Sequence, residues 1–102
     1  MDMKKMMKQA QKMQKEAARA QEEIAQMEFT ATAGGGMVQV CAGGDMAIKS
    51  VTIDPEAVDP DDVEMLQDMI LAATNEALRS ATEASNARMS SVMGGMSIPG
   101  LM

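Results

Sequence analysis

The chain has 102 residues, enough for one small domain with little surface to bury unless copies associate. Met supplies 14 residues, Phe29 is the only aromatic, and His is absent, which removes imidazole bases, Ser-His and Cys-His nucleophile pairs and the usual His-containing zinc sites. The formal charge of -6 divides unevenly: residues 1–19 hold six basic residues against two acids, a net +4, while residues 20–102 hold three against thirteen, a net -10.

The opening stretch MDMKKMMKQAQ contains no uninterrupted apolar run, and no segment reaches the ~18–20 apolar residues that span a bilayer. The expectation is a soluble, unexported, cytoplasmic chain. From Met3 the apolar or small residues Met3, Met6, Ala10, Met13, Ala17, Ala20, Ile24 and Met27 alternate in steps of three and four, which predicts a helix in heptad register. At ~1.5 Å per residue it is roughly 37 Å long, more than one small domain can cover. On the wheel Lys5, Lys12 and Arg19 share one position, Lys8 and Lys15 another, and Lys4 a third, all opposite the apolar seam. That face can track phosphates, although a plainly solvated face is the commoner reason for Lys on a helix.

Residues 28–54 read as EFTATA, a GGG turn, MVQVCA, a GGD turn and MAIKSVTID, which predicts a three-stranded antiparallel meander. Ile48 is out of step with Val51 and Ile53, and a β-bulge near Lys49 and Ser50 repairs the alternation. The single Cys41 has no partner for an intramolecular disulfide and reads as a small buried hydrophobe in a reducing compartment. Pro55 ends the meander. Asp59, Pro60, Asp61 and Asp62 then predict a helix start, with Asp59 as cap and Pro60 as its first residue. The second helix carries Val63, Leu66, Ile70, Ala73, Ala77, Ala84 and Ala87 in another stripe, interrupted by Ser80, and is expected to end near Gly94 and Gly95. The spans 3–27 and 63–87 match in length, so full antiparallel overlap is expected, with Met3 beside Ala87. This register gathers Lys4, Lys5, Lys8 and Arg88 at a basic tip and places Glu22, Glu23 and Asp61 to Asp68 at an acidic base.

The glycine runs lack the GK[ST] ending of a P-loop and introduce no helix, so they are turn residues. Asp59, Asp61 and Asp62 are explained by capping rather than by a paired-carboxylate or metal site. One aromatic residue cannot provide the stacking platforms of single-strand or RNA-recognition modules, which leaves duplex DNA held by its phosphates as the better nucleic-acid candidate. Met3, Met6, Met7 and Met13 also suit a plastic groove for a partner helix, or simply a core stripe. A membrane-surface helix is the weaker reading, since Gln and Ala occupy places where Leu, Phe or Trp would insert.

In order along the chain, KQAQKMQ, EEIAQ, MVQV, VTIDPEAV and DVEMLQDMILAATNEAL resemble the YbaB/EbfC nucleoid-associated proteins over roughly residues 4–98. The resemblance implies an α-β-β-β-α chain, an intertwined homodimer with helical arms projecting like tweezers, and non-enzymatic binding of duplex DNA in a bacterial cytoplasm. Carried across, the DNA-binding role falls on Lys4, Lys5, Lys8 and Lys12, and with them Lys15, Arg19 and Arg88. Relatives often place several basic residues in the final helix; here residues 75–93 supply only Arg79 and Arg88, which shifts the grip toward the first helix.

The expectation is therefore an α+β fold with a single domain over 1–93 and a flexible tail over 94–102. It binds duplex DNA as a homodimer and calls for no cofactor, metal, membrane or small-molecule substrate. The alternative is a non-enzymatic protein-protein interaction module that uses the Met/Ala-rich arms.

Overall fold

A computed structural model describes residues 2–94 of the protein. Asp2 opens the first helix, α1 (Met3–Gln26): its carboxylate accepts the Lys4 backbone N–H at 3.0 Å. The helix closes where the Met27 N–H donates to the Ile24 carbonyl at 3.0 Å. Three antiparallel strands follow, β1 (Glu28–Ala33), β2 (Val38–Gly43) and β3 (Ile48–Ile53), in the spatial order β1-β2-β3. After a 3-10 turn at Pro55–Ala57, the second helix α2 runs from Val63 to Gly94. This is the expected α-β-β-β-α architecture, with an open sheet.

Period-two alternation places Val38, Val40 and Ala42 of β2 on one face of the sheet, where all three are fully buried. Val38 pairs with Ile53 and Val40 with Val51, but Cys41 pairs with Ser50 and Ala42 with Ile48, which leaves Lys49 as an extra residue. The expected bulge is therefore present, and it returns Ile48 to the face of Val51 and Ile53. Cys41 is buried, as its surroundings predicted.

The two turns of the meander touch different helices. Gly34, Gly35 and Gly36 all have positive φ, and a Cβ on Gly34 would collide with the Met69 sulfur of α2. At the other end a Cβ on Gly44 would collide with the Ile24 carbonyl oxygen, and the Gly44 N–H donates to the Met27 carbonyl at 2.9 Å. Only glycine lets this turn lie against the end of α1.

The core is formed where α2 crosses the sheet. Ala31, Val38, Val40 and Ala42 meet Ala73 and Ala77, with Leu66, Ile70 and Leu78 packed around them. Alanines on α2 allow the helix backbone to approach the sheet closely, and a Leu at these sites would not fit. From Met69, beside Gly34, to Thr82, whose hydroxyl lies 3.9 Å from the Met46 sulfur, α2 advances roughly 20 Å, the length of a six-residue strand. The first twenty of the 32 residues of α2 are thus used up in spanning the sheet.

Three expectations are corrected. The second helix begins at Val63, with Asp62 as its cap, accepting the Met65 N–H at 3.2 Å; Asp59 instead accepts the Asp61 N–H at 2.9 Å in the preceding turn. Its buried line passes through Ala81 rather than stalling at Ser80, because a straight helix of 3.6 residues per turn drifts off a strict heptad and brings Ile70, Ala81 and Val92 into line at eleven-residue steps. The helices do not overlap fully. Arg88 donates to Glu23 at 3.0 Å, so Ala87 lies far from Met3 and close to the root of the arm. The tail expected at 94–102 falls outside the described residues except for Gly94, which belongs to α2.

Candidate nucleic-acid interface

The pairing of Arg88 with Glu23 fixes how much of α1 is covered. Gly94, six residues beyond Arg88, lies alongside about residue 17 of α1, so Met3 to Glu16 extends roughly 20 Å past the described end of α2. Burial follows the same boundary. Ala20 and Ile24 are buried, Met13 and Ala17 half-buried, and every residue from Asp2 to Lys12 is exposed. The molecule is correspondingly elongated, 71 × 25 × 16 Å.

Lys4, Lys5, Lys8, Lys12 and Lys15 are all exposed on this projecting half. Their only near acids in sequence are Asp2, which caps the helix, and Glu16. Among the described residues the ion pairs are Lys49 with Asp45, Arg79 with Glu76 and Arg88 with Glu23, and none uses an α1 lysine. Arg19 and Arg88 do not join the tip. They line a small cavity of about 260 Å3 at the root of the arm, together with Glu16, Ser91 and Val92. The basic tip and acidic base are therefore real, but the tip is built from α1 alone.

The sheet end carries the opposite charge and a different kind of exposed surface. In the β2–β3 turn the Lys49 ammonium, at 2.9 Å, and then the Ala47 N–H hold the Asp45 carboxyl below its ordinary pKa. Ile48 and Val51 of β3 are 41% and 47% exposed although they point to the core face, because α2 lies mainly over β1 and β2, while Ile53 at the end of β3 packs against the core. On α2, Leu71 is 61% exposed. The alternation, repaired by the bulge, put Ile48 and Val51 on one face with Ile53 and gave no sign that the chain's own helices leave them uncovered; the apolar stripe of the second helix did not include Leu71. No described helix is long and apolar enough to cross a membrane.

Fold and charge together define a small α+β protein with a projecting basic helical arm, a form suited to engaging a polyanion. The model of the YbaB/EbfC DNA-binding family matches residues 1–96, and the chain belongs to that family. It is 52% identical over 100 residues to a nucleoid-associated protein of Clostridium acetobutylicum, covering 98% of this chain and 89% of the relative. It is 55% identical over 100 residues to a nucleoid-associated protein of Desulforamulus reducens, covering 98% and 95%. An uncharacterized protein from Helicobacter pylori has the same fold in its crystal structure, with a TM-score of 0.75 at 24% identity over 95% of this chain and 99% of that one.

Proposed function

We propose that the protein is a nucleoid-associated, non-enzymatic homodimer of the bacterial cytoplasm whose projecting arms grip the phosphates of duplex DNA. The observation that carries this reading is the exposed half of α1, where Lys4, Lys5, Lys8, Lys12 and Lys15 stand clear of the acidic body. Lysines of this kind hold a duplex by charge and release its counterions, with little discrimination between base sequences. Arg19 and Arg88 serve at the root, where the hold of Glu23 on Arg88 limits its share. Membership of a DNA-binding family and the names of its relatives support the partner and the location.

The exposed apolar residues support the homodimer. Ile48 and Val51 of β3 and Leu71 of α2 are apolar side chains that the chain's own elements leave open, and a second copy supplies the cover. Two chains then present two arms to one duplex.

A second reading has its own observation. Met3, Met6 and Met7 are 74%, 52% and 60% exposed, a soft apolar surface that suits a protein partner. Reversing Lys4, Lys5 and Lys8 to Glu separates the two readings. Duplex binding at low salt falls by roughly 1,000-fold if phosphates are gripped there, whereas an apolar partner interaction survives. The variant is first checked by sedimentation to be dimeric; unchanged duplex affinity in a dimeric variant refutes the arm.

A further inference from the structure

The flank of α2 that lies over β1 carries a surface the DNA reading does not use. Met65 and Met69 wall an open cleft of about 500 Å3 closed at one end by Gly34, with Asp62, Glu64 and Asp68 on its rim. Asp62 is occupied as the helix cap. Glu64 and Asp68 lie one turn apart on an exposed face and take part in none of the ion pairs among the described residues. Met65 is 59% exposed, so the apolar wall is open to a ligand. At 100° per residue, Met65 and Met69 lie on the opposite side of the Ile70–Ala73–Ala77 line from Leu71, so the apolar wall of the cleft faces away from Leu71, and Glu64, seven residues before Leu71, bounds the cleft on the Leu71 side.

We infer that this cleft receives the N-terminal arm of a second copy of the chain. The arm has the complementary chemistry: Met3, Met6 and Met7 fall at helix-in-groove spacing, and Lys4, Lys5 and Lys8 beside them carry the charge opposite to that of the rim. Thioether side chains on both surfaces adapt to one another, while the net +4 of residues 1–19 faces the net -10 of the rest. An arm does not reach its own cleft, because the two lie at opposite ends of a molecule 71 Å long. The contact therefore joins different surfaces of different molecules, and contacts of that type continue into open-ended assemblies. Neutralised by the rim, the tip lysines are unavailable to phosphates, so arm-to-cleft contact and duplex binding exclude one another. That last consequence rests on the DNA reading; the self-association does not.

The test is sedimentation at low salt without DNA, on the wild type, on Glu64→Lys/Asp68→Lys, on Lys4→Glu/Lys5→Glu/Lys8→Glu, and on an equimolar mixture of the two variants. Asp62 is left in place to keep the helix cap. The wild type is expected to form species larger than its dimer, and these dissolve near 1 M salt, where the screening length falls to about 3 Å. Each variant alone weakens the assembly at least about tenfold, and the mixture restores it, because each keeps the surface the other has lost. Glu28→Lys/Glu83→Lys, with the same change of charge on exposed residues away from the rim, leaves assembly intact. A wild type that stays dimeric at low salt overturns the inference, as does a rim variant that assembles normally, a mixture that does not reassemble, or a control variant that weakens as much. If duplex binding is absent while the mixture still reassembles, the DNA reading fails and this one stands.

Discussion

The two ends of α1 are built on the same heptad stripe and end in opposite circumstances. Ala20 and Ile24 are buried against the rest of the chain, whereas Met3 and Met6 stand 74% and 52% exposed. The stripe itself does not decide which half is core. What decides is where α2 becomes available, and α2 reaches α1 only after crossing the sheet from Gly34 to Met46. A repeat that looks uniform in sequence is thus divided by topology into a packed root and a free arm.

That contrast is open to direct attack. In the packed region Ala77 has no exposed surface, so Ala77→Leu is expected to lower unfolding stability by about 1–3 kcal/mol through overpacking against β2. On the arm Met6→Ala is expected to move stability by no more than about 0.5 kcal/mol. Chemical denaturation of the two variants measures both; equal losses would erase the distinction. At the boundary, Arg88→Ala removes an exposed ion pair with Glu23, worth roughly 0–1 kcal/mol, and shifts duplex affinity far less than reversal of the tip lysines. A loss in affinity as large as that of the tip variant would move the DNA contact to the root.

The smallest effect concerns the β2–β3 turn. The carboxyl of Asp45 is lowered in the folded state by Lys49 and the Ala47 N–H. A lowered carboxylate pKa contributes stability above the unfolded value, and this is lost as pH falls through the folded one. An NMR titration is expected to place Asp45 below the ordinary Asp range, with the Lys49→Ala variant returning it upward. At neutral pH the arm, which has no part in the turn, is expected to show the same chemical shifts in the Lys49→Ala variant as in the wild type.

Most of the local structure was legible in the sequence. Alternation fixed the strands and the bulge at Lys49, because one face of each strand must reach the core whatever packs on it. Glycine runs marked both turns for the same local reason. The helix–helix register was not legible: equal lengths suggested full overlap, while the packing of α2 on the sheet displaces it by some twenty residues and carries Arg88 from Met3 to Glu23. Nor was the cleft, since it exists only where the Gly34 turn closes against Met69. The lysines of the tip were found because charge on a helix face is a local property, and their freedom from the acidic body became visible only with the register.

The proposed hold on duplex DNA depends on the arm as a grip for phosphates. The most direct measurement is duplex affinity of the wild-type dimer across a range of salt concentrations. If ~4–8 phosphates are engaged, log K falls with log salt at a slope of about -4 to -7. Duplex binding that is undetectable at low salt, or a slope near zero, would contradict it.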